Sequence, residues 1–208
     1  MRKLFLALIS LNILFGINNL FAQDTLFNGW KHKLGFITGN GIQFLGQLAG
    51  NDNHSIALKV NYEYRVTFYQ LQYYISVSRK KAFGIDLVAQ PQYNSTTYKP
   101  LLGSAQYVNG YEVGLNLGLL ARENVFHDLL SFYFMIGTGP HYTSGTVQRQ
   151  ANGFIFSDNF AGGVNIKLTK NLYADWRSGL RHISNAGLRI PNGGINTLTM
   201  REGFLLAF

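Results

Sequence analysis

Tyr111-Glu112-Val113-Gly114-Leu115-Asn116-Leu117-Gly118-Leu119-Leu120-Ala121-Arg122 carries Tyr111, Val113, Leu115, Leu117 and Leu119 on one side of a period of two, and Glu112, Gly114, Asn116, Gly118 and Arg122 on the other. Successive side chains of an extended strand point to opposite faces, so this pattern is that of a two-faced β-strand. The same alternation returns upstream, where Phe83, Ile85, Leu87, Ala89, Pro91 and Tyr93 oppose Gly84, Asp86, Val88, Gln90, Gln92 and Asn94. It returns downstream as Phe156, Phe160, Val164, Ile166 and Leu168 against Ser157, Asn159, Asn165 and Lys167, and as Leu172, Ala174, Trp176 and Leu180 against Asp175, Arg177 and Arg181.

Working outward, eight such segments cover about 31–43, 58–78, 83–97, 110–122, 129–143, 154–168, 172–184 and 195–208. The connections alternate in length: 44–57, 98–109, 144–153 and 185–194 are long, whereas 79–82, 123–128 and 169–171 are short. Outer-membrane barrels have an even strand count, short periplasmic turns and longer outside loops. The expected fold is therefore all-β, an eight-stranded antiparallel transmembrane β-barrel with both termini periplasmic. Composition agrees: 47% of residues are hydrophobic, 14% aromatic and only 13% charged, against about a quarter charged in soluble domains. After Ala22 no apolar run is long enough for a membrane helix. With no Cys there is no disulfide framework to stabilise an exported chain.

The first residues read as a secretory signal, with Arg2 and Lys3, an apolar stretch Leu4 to Phe15, and Ala22 as the small residue before cleavage. Residues 1–22 are thus expected to leave and 23–208 to form the barrel. A soluble sandwich or lipocalin-like barrel would place its polar face in water; here Glu63, Arg65, Asp86, Glu112, Arg122, Asp175, Arg177 and Arg201 read instead as a charge-paired lumen. Between Val60 and Phe68 the apolar residues sit at even positions, and from Leu71 to Val77 at odd ones. A β-bulge in one long strand accounts for that phase change and keeps the strand count even, a turn making two strands being the alternative. The last strand ends on Phe208, an aromatic terminus resembling the assembly signal of bacterial outer-membrane barrels, and carries Glu202 on its apolar face, where a charge is costly near mid-bilayer.

His182 and Ser184 lie two apart at the end of the seventh segment, on its apolar side. They share a face, so an imidazole base can meet a hydroxyl nucleophile. The run His182-Ile183-Ser184-Asn185-Ala186-Gly187-Leu188, with Pro191-Asn192 and Gly194-Ile195-Asn196, resembles the active-site strand and loop of PagL-type lipid A 3-O-deacylases. That resemblance covers about fifteen residues, His182 to Asn196. It implies an outer-membrane barrel with Ser, His and Glu on its lipid-facing wall at the outer rim, and places Ser184 as nucleophile and His182 as base. It assigns Asn185, with the amides of Ala186 and Gly187, to the oxyanion site. The sequence departs from the family at Asn196, which stands where better-known members carry Glu. An Asn carbonyl can still accept the imidazole N–H and fix its tautomer, but it supplies no charge.

The resemblance implies a carboxylic ester hydrolase in the bacterial outer membrane, acting on lipid A or lipopolysaccharide of the outer leaflet without metal or organic cofactor. Lys99, Arg149 and Arg189, in outside loops, are candidates for lipid A phosphates. His32, His54, His127 and His141 show no metal-ligand spacing, and Gly35, Gly39 and Gly41 lack the spacing and context of a nucleotide fingerprint. The net charge of +8 includes two cations of the signal, and little supports nucleic-acid binding. The competing class is a non-catalytic structural or adhesive barrel that retains the motif; monomer and homodimer are both compatible with the sequence.

Overall fold

A computed structural model describes residues 30–44, 62–80, 82–101, 103–126 and 129–208. The expected signal segment 1–22, most of the first long loop, His54 and His127 lie outside the described residues. The strands are β1 (His32–Gln43), β2 (Tyr64–Lys80), β3 (Phe83–Tyr98), β4 (Val108–Val125), β5 (Leu130–Thr138), β6 (Pro140–Thr143), β7 (Gly153–Lys167), β8 (Leu172–Ser184) and β9 (Ile195–Ala207). β5 and β6 are two halves of one barrel strand, both paired to β4 and β7. They part at Gly139, where a Cβ would lie 1.9 Å from the Leu115 carbonyl oxygen. β9 pairs with β1 and β8, and β3 with both β2 and β4, so the sheet closes on itself as an eight-stranded antiparallel barrel without an edge.

Alternation holds around the wall. In β3 Asp86, Val88, Gln90, Gln92 and Asn94 are buried in the lumen while Phe83, Leu87 and Tyr93 are exposed outward. The outer surface is apolar, with Tyr69, Tyr93 and Tyr111 in ring contact at its outer end and His32 stacked between Tyr73 and Phe208 at the other, the placement of aromatic girdles. No helix among the described residues is long and apolar enough to cross a membrane; the crossings are strands. Single Cys substitutions in 103–107 or 144–152 should react with an impermeant maleimide on intact cells, and one at Ala82 should not; the reverse pattern would invert the orientation.

β2 corrects two expectations. It is one strand, but no bulge lies between Phe68 and Leu71, because its pairing with β1 is continuous from Arg65 to Ile75. The register shift falls later, between Ser76 and Ser78 against β3. The phase of the apolar residues changes because the lumen itself changes character: Tyr64, Val66 and Phe68 point inward and join Tyr62, Tyr98, Val147, Ile155, Ile183 and Ile195 in an apolar cluster filling one part of it. Arg65 consequently faces outward, with its guanidinium 5.7 Å from the Tyr107 ring, and Glu63 lies before the strand, ion-paired to Lys99. Neither belongs to the lumen.

The remaining predicted lumen charges are buried and mostly paired. Asp86 takes Lys33 at 2.6 Å and also Arg122, Asp175 takes Arg177, and Glu112 takes Arg181 at 2.6 Å. Arg201 reaches Gln70 at 3.1 Å and Thr199 at 3.2 Å and lies over the Phe68 ring. β9 pairs in unbroken register, so no bulge turns Glu202 inward; it stays exposed on the outer wall between Thr38 and Trp176.

Candidate active site

β8 brings His182 and Ser184 to the end of the wall where the loop 185–194 begins. Their neighbours Arg181 and Ile183 are buried in the lumen, which fixes the opposite, outward direction for His182 and Ser184. Arg181 is tied through its Nε to Ser157 Oγ at 2.9 Å and through its guanidinium to Glu112. The backbone beneath the site is thereby anchored from inside the barrel.

Pairing of β8 with β9 sets Asn196 opposite His182. His182 Nδ1 lies 2.6 Å from Asn196 Oδ1, so the ring donates Nδ1–H to the amide oxygen and keeps the lone pair of Nε2. Asn196 is held in turn by Tyr62, whose hydroxyl accepts from the Asn196 N–H at 2.8 Å and donates to its carbonyl at 3.1 Å. The Cε1–Nε2 edge of the ring faces Gly194, where a Cβ would stand 2.5 Å from Cε1 and 3.2 Å from Nε2. Gly194 has φ 64°, so both backbone and ring require glycine there. Continuing the β8–β9 register sets Gly194 opposite Ser184, so Nε2 is directed toward the level of the serine. Among the described residues no hydrogen bond joins Ser184 to His182; such contacts often tighten only when substrate binds.

The loop is braced rather than open. Asn185 is buried, its amide nitrogen donates to the Arg189 carbonyl at 2.9 Å, and its oxygen accepts the Gly187 N–H at 3.0 Å. The Asn185 side chain and the Gly187 amide are thus occupied within the loop. Exposed Ala186, at φ 53°, makes no backbone hydrogen bond through its N–H among the described residues. Across the rim, Gly193 N–H donates to the Arg149 carbonyl at 2.7 Å, Ala151 N–H to Pro191 at 2.8 Å and Gly194 N–H to Gln150 Oε1 at 3.1 Å. These contacts staple the loop to residues 144–152.

Of the three loop cations, Lys99 is held by Glu63 at 2.8 Å, and that same hydrogen bond, with a second from Tyr107, keeps the Glu63 carboxyl below its ordinary value. Arg149 packs over the Tyr62 ring at 5.0 Å and donates to the Gly193 carbonyl. Arg189 is exposed and in no ion pair among the described residues. The sequence singled out these three but gave no sign of Tyr62, Arg149 and Gln150 as supports of the site.

On the other side of His182 an open groove of about 470 Å³ runs over the outer wall, lined by Leu117, Leu119, Ile136, Thr138, Asp158 and Phe160 and reaching His182 itself. It is largely apolar and open to the lipid. No group of three metal-ligating side chains occurs among the described residues.

The fold is similar to that of the outer-membrane enzyme PagL, with a TM-score of 0.59 at 16% identity over 83% of this chain and 99% of that one. The outer-membrane protein OprG from Pseudomonas aeruginosa matches with a TM-score of 0.44 at 11% identity, over 86% of this chain and 96% of that one. Ail, the attachment invasion locus protein of Yersinia pestis, matches at 0.41 and 10% identity, over 85% and 99%. No curated protein matches by sequence. Residues 20–204 match the family described as lipid A 3-O-deacylase (PagL). That span takes in every strand from β1 to most of β9, and the chain therefore belongs to the PagL family of the bacterial outer membrane.

Proposed function

We propose that this barrel hydrolyses the ester-linked 3-O-acyl chain of lipid A in the outer leaflet, from a Ser184–His182–Asn196 site on its lipid-facing wall. The observation that carries the reading is the 2.6 Å contact from His182 Nδ1 to Asn196 Oδ1. It fixes the tautomer in which Nε2 is a free base, and loss of the correct tautomer is what makes amide replacements so damaging elsewhere. The groove beside His182 supports the substrate class: an acyl chain lying along the barrel wall has its ester delivered to the rim by the membrane itself, and no internal cavity is needed.

In this mechanism Ser184 Oγ attacks the ester carbonyl carbon as its proton passes to His182 Nε2. The tetrahedral oxyanion is met by backbone donors of the loop, among them the Ala186 N–H, which has no acceptor among the described residues. Collapse releases the 3-oxygen, which takes the proton back from His182, and water admitted at the rim cleaves the acyl-Ser184 ester by the same route in reverse. Arg189 contacts a lipid A phosphate. Mass spectrometry of lipid A from cells with and without the protein tests this: loss of one hydroxyacyl chain supports it, and unchanged lipid A would leave a non-catalytic barrel.

The Asn196 substitutions refine the role of the orienting amide. Asn196→Ala should lower kcat on the order of 10- to 10³-fold, less than loss of Ser184, because it frees the ring without removing a reacting group. Asn196→Glu should keep or raise kcat, since a carboxylate accepts the same N–H and stabilises the imidazolium. Little change from either would make Asn196 a bystander.

A further inference from the structure

His182 has a second cross-strand neighbour. Pairing of β7 with β8 sets Asp158 directly opposite it, on the flank away from Asn196. Directly opposed residues on one face of an antiparallel pair have Cβ atoms about 5 Å apart, and Asp158 and His182 line the same groove. Asp158 Oδ1 accepts a hydrogen bond from Thr138 Oγ1 at 2.5 Å. A carboxylate on a lipid-facing wall is energetically unfavourable unless neighbouring polar groups partner it. No acid occupies position 196, and Asp158 is the carboxylate paired across the ladder with the imidazole.

We propose that this chain divides between two residues the two tasks of a triad acid: Asn196 orients the His182 ring by its hydrogen bond, and Asp158 supplies the negative charge that stabilises the imidazolium. The inference rests on His182 being the base. Asp158 takes no proton; the proton of Ser184 Oγ resides on Nε2, Nδ1–H stays on Asn196, and the charge across the strand pair lowers the energy of that cationic ring. Thr138 fixes the carboxylate by its hydroxyl hydrogen bond. Asp158 is a positioning residue in this scheme, acting through His182 without touching substrate.

The test compares four full-length barrels, wild type, Asp158→Asn, Asn196→Glu and the double variant, each refolded and checked for heat-modifiable migration. Two rates are measured: kcat and KM on lipid A, and the second-order rate at which a fluorophosphonate labels Ser184. Asp158→Asn should lower kcat and the labelling rate about 10- to 100-fold with KM nearly unchanged, and Asn196→Glu in that background should restore both by returning the charge to the other flank. A merely structural Asp158 predicts a loss that Asn196→Glu does not repair, and that result, or wild-type rates in Asp158→Asn, would overturn the proposal. The two readouts separate this inference from the substrate: labelling that follows the expected pattern without lipid A turnover rejects lipid A and retains the Asp158 role. A wild-type Ser184 that does not label rejects both the activated serine and the role of Asp158.

Discussion

Ser184→Ala is expected to abolish deacylation, with kcat falling by at least about 10³-fold, while the barrel remains folded and heat-modifiable. The hydroxyl is half-buried on the outer wall and holds nothing else in place among the described residues, so its removal leaves β8 intact. His182→Ala should cost about as much, because an unassisted hydroxyl is a weak nucleophile. The double variant should be scarcely worse than either, since members of one catalytic unit are not additive. Release of hydroxy fatty acid from purified lipid A measures all three. Retained turnover in Ser184→Ala would reject the covalent route and leave His182 to activate water directly.

Glu112→Ala is expected to have the largest effect on stability, about 3–5 kcal/mol. Glu112 and Arg181 are both buried in the lumen, and the carboxylate also accepts from Asn94 Nδ2 at 2.9 Å and from the Tyr64 hydroxyl. Removing it strands a buried guanidinium without its carboxylate, leaving it the Ser157 hydroxyl and its place over the Phe68 ring at 5.6 Å. Replacing the pair together, Glu112→Leu with Arg181→Met, should be far milder, because two apolar residues leave no unpaired charge. Urea unfolding in lipid vesicles separates the cases. A single variant as stable as wild type would show that water enters the lumen and solvates Arg181. Because Arg181 sits between Leu180 and His182, the single variant should also lower activity, whereas Ser184→Ala should leave stability unchanged.

Several features of the site were within reach of the sequence. The turn after β7 is short, and Leu168 N–H already bonds the Leu172 carbonyl at 2.9 Å. Counting outward from such a turn places Asp158 beside His182, so that neighbour was legible though not drawn from the sequence. The pairing of His182 with Asn196 was an expectation of the family resemblance and not of the strand pattern, because the loop 185–194 joining β8 to β9 is long and fixes no register by itself. Asn185 shows a similar limit: the motif names it, but only the folded loop commits its amide to the Arg189 and Pro191 carbonyls.

What the sequence by itself determined is what a period of two can encode: where strands run, which side faces lipid outside the first half of β2, the even count, and the shared outward direction of His182 and Ser184 at the end of β8. Those properties are local, because alternation is set by consecutive residues of one strand. The tertiary structure decided what depends on who stands opposite. It showed that Tyr64, Val66 and Phe68 face an apolar part of the lumen, which overrides the rule that inward means polar and turns Arg65 outward. It brought Tyr62 to the Asn196 backbone from a point 134 residues earlier in the chain. It set the Asn196 amide against the His182 ring across a long loop, a juxtaposition that the register of the β8–β9 ladder specifies.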